Sequence, residues 1–300
     1  MAQFRFSRRH VLAAAAGCIA AGGLTNAKPR IDIAQRKFLE LERKHEGRLG
    51  VCILNTATGQ RLGHRMEERF AMCSTFKLPL AAMILRAADQ GKLDLETFIA
   101  YSKADMLAHA PVTEANLPKG GMTIRELAEA AQKQSDNPAA NLLLKQIDGP
   151  AGLTQCLRAL GDQITRVDRF EPEMNHVIPG DDRDTTSPAA MAATLTKILT
   201  GDVLAPSSRN ILIQWMIETT TGTKRLRAGF PKDWRAGDKT GTGFDEVSGK
   251  CNDVALAWPP GKPPLIITAY FNTAGPADGI RDQDQAVLAA VGRLAADWIS

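Results

Sequence analysis

The sequence predicts an α/β fold combined with an all-α part: an antiparallel sheet flanked by helices and built from both termini, with an inserted helical subdomain. Three observations lead there. Strand signals stand near residues 50–55 and return after Trp234; helical signals dominate between; an amphipathic helix closes the chain. The active site of such a fold is expected in the crevice between the two parts.

Residues 1–27 read as a signal peptide: Arg5, Arg8 and Arg9, an apolar stretch over 11–21, then small residues ending Thr25-Asn26-Ala27. The stretch is too short to cross a bilayer as a helix. Arg8-Arg9, within Ser7-Arg8-Arg9-His10-Val11-Leu12, is the pair of a twin-arginine export signal, so a periplasmic location is expected. A Sec signal with a chance arginine pair is the alternative. Cys18 could carry a lipid, although Ala15 suits that processing poorly.

Without those residues, 34 basic side chains face 33 acidic ones, and the net charge of +4 falls to about +1. Such a chain offers no electrostatic case for nucleic acid or an anionic membrane as partner. Cys52, Cys73, Cys156 and Cys251 remain, in no metal-ligand spacing, so no metal is expected. Export would allow their oxidation, but pairing is not readable from spacing.

Residues 31–46 carry helical apolar spacing at Ile33, Phe38, Leu39 and Leu41. Residues 50–55 read as a buried strand, Ala57-Thr58-Gly59 as its turn, and residues 61–64 as its hairpin partner. From Ser74 to about Thr219 helices dominate. Thr123-x-x-Glu126 is a capping box opening a helix over 124–134. Asn137-Pro138 and Ser187-Pro188 each place proline at the first helical position behind a capping residue. Strands are expected over 235–242, 253–258 and 265–272, and a final amphipathic helix over 283–299. The α/β domain then comprises 28–68 and 217–300, the all-α domain 69–216.

Chemistry concentrates in four places. Ser74 and Lys77, three residues apart at the head of an apolar run, share one helix face. A helix N-terminus favours developing negative charge, and a lysine of depressed pKa accepts a hydroxyl proton. Ser135-Asp136-Asn137 follows between two helices, and Lys239-Thr240-Gly241 lies on a strand near the C-terminus. Taken singly, these are a surface helix start, a capped turn and a lysine-blunted edge strand. Together and in this order they form the set shared by class A β-lactamases and penicillin-binding proteins. Between the last two runs RVDRFEPEMNHVIPGDDRDTTS, residues 166–187, polar and aperiodic. Loops of that length in compact domains are usually functional. Within it, Glu171 and Asn175 could hold one water beside the serine.

With RFEPEMN matching the omega-loop motif, the mature chain resembles class A serine β-lactamases over essentially its whole length. The resemblance implies an α/β domain from both termini plus an all-α domain, no cofactor, β-lactam antibiotics as substrates, and a monomer. It implies that Ser74 attacks the β-lactam carbonyl, with its proton passing to Lys77 or, through water, to Glu171. Ser135, helped by Lys77 and Lys239, would protonate the departing nitrogen. The backbone N–H groups of Ser74 and Thr242 would form the oxyanion hole. Glu171 and Asn175 would activate the deacylating water. Lys239, Thr240 and Thr242 would hold the substrate carboxylate, with Asn137 and Gly241 completing the binding site and Arg169 pairing with Asp184 to pin the loop.

Departures from the family pattern are also present. His109 stands where relatives often carry an aromatic gate. The carboxylate-binding arginine of many relatives is missing from Ser248-Gly249-Lys250-Cys251-Asn252-Asp253, which follows a short insertion; Arg225 is the expected substitute, ahead of Lys250. Cys73 matches the cysteine that forms a disulfide in carbapenemases, but its family partner position is Gly243 here. Cys251 is an alternative partner; a free buried thiol is the simpler expectation. Two other functions share part of the pattern: a D,D-peptidase, and a covalent β-lactam sensor domain. Both are acylated without turning over; Glu171 with Asn175 argues against the first, and the second would need a transmembrane tether, which no stretch after residue 27 is expected to provide.

Overall fold

The computed structural model describes residues 27–300; the export-signal expectations, with Arg8-Arg9 and Cys18, lie outside them. The chain opens with α1 (Ala27–Lys44), β1 (Gly47–Asn55), β2 (Arg61–His64) and β3 (Phe70–Ala71). A 3-10 turn (Cys73–Phe76) leads into α2 (Lys77–Asp89), followed by β4 (Phe98–Ala100) and β5 (Gly121–Thr123). Helices α3 (Ile124–Lys133), α4 (Asn137–Lys145) and α5 (Gly149–Ala159) come next. After the long loop stand β6 (Thr185–Thr186), α6 (Pro188–Thr200), α7 (Pro206–Ile217) and α8 (Leu226–Gly229). The chain finishes with β7 (Arg235–Phe244), β8 (Gly249–Trp258), β9 (Leu265–Thr273) and α9 (Asp282–Ile299).

The five long strands form one antiparallel sheet in the order β2-β1-β9-β8-β7. Strands from the two ends of the chain therefore pair, Val51 opposite Ala269. Alternate residues of the central strands point to opposite faces. Leu49, Val51, Ile53, Ile267, Ala269 and Phe271 pack with Phe38 of α1 and Val287, Leu288 and Val291 of α9. Cys52, Leu54, Val254, Leu256, Ile266 and Tyr270 meet the helical part on the other side. Both faces are covered, which is why these strands read as apolar runs and not as clean alternation. Helix α2 is buried from Lys77 to Leu85 and is the spine of the helical part.

Local signals explain most of the ends. Thr123 and Glu126 form the reciprocal capping box at α3, and Ser187 caps α6 ahead of Pro188. Two expectations need correction. Asp136, not Asn137, caps α4 by accepting from Ala139 N, and this leaves the Asn137 side chain free for the site. On α1, Ile33 and Leu39 are solvent-facing, 51% and 42% exposed, while Ala34, Phe38 and Glu42 face the sheet. Glu42 is buried there because it accepts from Leu49 N and Arg65.

Two short ladders had no readable period. β4 pairs with β5, and β3 pairs with β6, Phe70 opposite Thr186. The second ladder ties the strand entering the Ser74 turn to the exit of the long loop.

Candidate active site

Ser74 sits in the 3-10 turn that runs directly into α2, so Lys77, one turn on, is buried with its amine facing the same space. Cys73, just before Ser74, has φ of +45°, and Ser135 has φ of +60°. A left-handed backbone at two non-glycine residues costs energy and is held by the surrounding structure. For Ser74 that structure is β8: Asn252 donates to both Ala71 O and Met72 O. Strand β7 presses from the same side. A Cβ on Gly241 would lie 2.6 Å from Met72 O and 3.0 Å from Thr75 Cγ2. The bare Cα of Gly241 permits the close approach of β7 to the nucleophile turn.

Two of the other motifs meet Lys77 directly, and the third reaches it through Ser135. Its Nζ donates to Ser135 O at 2.8 Å and Asn137 Oδ1 at 2.5 Å, and it lies 3.0 Å from Glu171 Oε1. The Ser74 hydroxyl donates to that same Oε1 at 3.2 Å. The serine and lysine, expected to meet directly, thus meet through one carboxylate oxygen. Glu171 is 2% exposed; its Oε2 accepts from Asn175 Nδ2 at 2.5 Å. Asn175 Oδ1 is buried and makes no hydrogen bond among the described residues. Lys239 Nζ donates to Ser135 Oγ at 3.0 Å, so Ser135 stands between two buried amines. Burial pushes the Lys77 amine below the usual lysine range, against the raising pull of Glu171. Burial and then the charge of Lys77 push Lys239 well below it.

The long loop is closed at its ends by Arg166 N donating to Thr185 O, and locked inside by Asp184. Asp184 is fully buried. Its Oδ1 accepts from Asp168 N and Arg169 N, and its Oδ2 from Arg169 Nε at 2.6 Å. Asn141, absent from the sequence expectations, clamps Glu171 from α4: Oδ1 accepts from Glu171 N and Nδ2 donates to Glu171 O. Asn141 falls one helical turn after Asn137, on the same face, which was the available signal.

At the C-terminal side, β7 is an edge strand. Thr240 Oγ1 lies 2.7 Å from Thr221 Oγ1. Arg225 is 2% exposed and lies behind β7, so it does not stand open to a substrate as expected. It donates to Gly241 O, Asn252 O and Thr242 Oγ1. Lys250 is buried in an ion pair with Asp245 and is not available either. His109 is exposed, its Nε2 2.9 Å from Gln134 O, while its backbone O accepts from Asn137 N. Asn137 Nδ2 donates to Ala108 O. Cys73 and Cys251 are both free thiols, as are Cys52 and Cys156. Burial pushes the Cys73 thiol up to about 12.

Residues 33–299 match the Beta-lactamase enzyme family. Beta-lactamase L2 of Stenotrophomonas maltophilia is 46% identical over 286 residues, covering 95% of this chain and 91% of that protein. The carbapenem-hydrolyzing beta-lactamase KPC of Klebsiella oxytoca is 42% identical over 268 residues, 89% of each. Among solved structures, an ancestral class A beta-lactamase is 52% identical at a TM-score of 0.83, covering 88% of this chain and 99% of that one. A beta-lactamase from Xanthomonas campestris is 47% identical at a TM-score of 0.85, covering 90% and 99%. Sequence, fold and the meeting of four motifs in one site agree: the chain belongs to the class A β-lactamase family.

Proposed function

We propose that this protein hydrolyses the β-lactam amide of penicillins and cephalosporins through a serine acyl-enzyme, and so confers resistance to those antibiotics. The observation that carries this reading is Glu171: a buried carboxylate whose Oε1 lies 3.2 Å from the Ser74 hydroxyl and 3.0 Å from Lys77. A penicillin-capturing protein needs only a nucleophile and an amine. A carboxylate over the same hydroxyl supplies what turnover requires, a base for water.

In acylation, Ser74 Oγ attacks the strained carbonyl carbon and its proton moves to Lys77, whose depressed pKa leaves it able to accept, or through water to Glu171. The developing oxyanion is held by the N–H groups of Ser74 and Thr242, each worth about 3 kcal/mol. The C–N bond breaks as Ser135 gives its proton to the ring nitrogen; Lys77 and Lys239 flank Ser135 to resupply it. In deacylation, Glu171 takes a proton from water held also by Asn175, whose free Oδ1 is open to accept from it. The substrate's carboxylate is held by Lys239, Thr240 and Thr242, with Arg225 orienting the last of these. His109 and Asn137 border the cleft.

The Arg8-Arg9 pair supports export by the twin-arginine route to the periplasm, where a monomer would meet its substrates. Nitrocefin turnover by the purified mature protein tests the central reading. Many cycles per enzyme are expected; a single stoichiometric burst would mark a peptidase or a sensor instead.

A further inference from the structure

Behind β7 lies a buried charge cluster that the reaction does not use directly. Asp238 on β7 and Asp253 on β8 are both fully buried. Asp253 is opposite Thr240, and Asp238 precedes Thr240 by two residues, so the two carboxyls are diagonal neighbours on one face of the sheet. Their side chains are within hydrogen-bonding reach of each other. Yet among the described residues Asp238 Oδ2 and Asp253 Oδ1 have no donor, and Asp238 Oδ1 meets only the Arg227 guanidinium.

Two ionised carboxylates can only accept hydrogen bonds. Buried face to face, they repel, and their lone pairs stay unsatisfied. One proton converts that repulsion into an O–H···O bond. We propose that Asp238 and Asp253 share one proton, and that this proton sets how much positive charge Arg225 presents, through Thr242, to the substrate's carboxylate. The inference rests on the β-lactamase reading above and deepens it.

The surroundings define the charge balance. Arg227 Nε lies 2.7 Å from Asp238 Oδ1, and Leu226 N donates to Asp253 Oδ2. Arg225 lies against the same face, bonded to Gly241 O, Asn252 O and Thr242 Oγ1. Lys239 follows Asp238 along β7 but turns its amine to Ser135, on the opposite face. From α3, the uncharged Gln132 amide donates both to Asp238 O and to Thr219 Oγ1. Two guanidiniums thus face two carboxyls. With one shared proton, a net positive charge remains beside Thr242; with none, the cluster is neutral. Burial raises both aspartic acids above the ordinary carboxylate range; the charge of Asp238 raises Asp253 further, while a hydrogen bond from Asp253 favours the ionised form of Asp238, as a pair sharing one proton requires. The pair therefore acts as a positioning element: it touches no reacting atom and works through Arg225 and Thr242.

The consequence is a split between binding and turnover. As pH rises past loss of the shared proton, KM for an anionic penicillin should rise by about tenfold, the effect of one unit charge over about 10 Å in a partly polar interior. This limb should be absent from kcat. In Asp253→Asn, the amide donates to Asp238 permanently, so KM should stay near its low-pH value across the range. Asp238→Asn should do the same from the other side.

The experiment is the pH profile of KM and kcat with benzylpenicillin for the wild type and both variants. It is paired with infrared spectra of the wild type at neutral pH, read for a protonated carboxyl stretch that shifts in D2O. A KM limb lost in either variant, together with that band, supports the proposal. A wild-type KM that is flat with pH, a limb retained in both variants, or no carboxyl band at neutral pH overturns it. A wild-type enzyme with the band but no hydrolysis at all would overturn the β-lactamase reading, and with it this function of the pair.

Discussion

The Glu171→Gln substitution separates the two half-reactions. Asn141 holds the backbone of residue 171 through both its N–H and C=O, so the side chain should keep its place. What changes is charge. In either orientation the new amide points its NH2 at a donor, Lys77 or Asn175, where a carboxylate oxygen stood before. Lys77 loses its nearest negative neighbour; its pKa, already lowered, falls further, and it remains a neutral amine able to accept the Ser74 proton. Acylation should therefore survive. Deacylation loses its base, a loss of about 10³-fold within the usual range for general bases, or about 4 kcal/mol at 1.36 kcal/mol per decade. Intact-protein mass spectrometry after mixing with benzylpenicillin should show an adduct carrying the whole mass of the drug, with a burst of one equivalent. Turnover within tenfold of wild type with no accumulating adduct would refute the assignment of Glu171 as deacylating base.

Other consequences are equally open to measurement. Asp184→Ala removes the buried acceptor shared by two half-buried N–H groups and the counter-charge of Arg169; a loss of about 3 kcal/mol is expected by thermal unfolding, and Asp184→Asn should lose less. Hydrogen bonds from Arg65, Leu49 N and His64 overcome burial to hold the Glu42 carboxyl at about 2, below its ordinary 4.5. That stability is present above pH 4.5 and lost as pH falls toward 2, so Glu42→Gln should cost about 1–2 kcal/mol near neutrality and converge on the wild type in acid. A Cβ on Gly243 would lie 2.8 Å from Cys73 Sγ, so Gly243→Cys should form a disulfide, read as loss of two titratable thiols relative to the reduced variant. If Lys77 is the acylating base, kcat/KM should fall as pH drops through its lowered pKa, since protonation removes the accepting lone pair; a flat acid limb would exclude it.

The pattern of what could be read in advance has a physical reason. Long strands and helices announce themselves by period, and the pairing of β1 with β9 followed from strands standing at both ends. Ladders of two residues, such as β3 with β6, have no period to detect. Ser74, Lys77, Ser135, Glu171 and Lys239 were visible because their motifs occur together, in order, although each alone reads as an ordinary cap, turn or strand. The side chains that hold them were not: Asn141 and Asn252 look like ordinary polar residues until their backbone partners are known. Arg225 shows the same limit from the other side. Its charge was legible, but its burial behind Thr242 depends on register across β7 and β8. On α1, periodicity selected Ile33 and Leu39, whereas the face that docks was settled by Phe38 and by Glu42 meeting Leu49 N.

The junction of Val51 with Ala269 also constrains how the chain matures. At a synthesis rate of about 5–20 residues per second, roughly 220 residues of growth leave β1 with only its hairpin partner for on the order of 10–40 s. During that wait one of its edges is open to pairing with a stranger, and no nascent chain short of β9 can complete the central sheet. Maturation is thus forced to be a late, post-synthetic event, and whatever shields that lone hairpin on the ribosome governs how much protein survives to work.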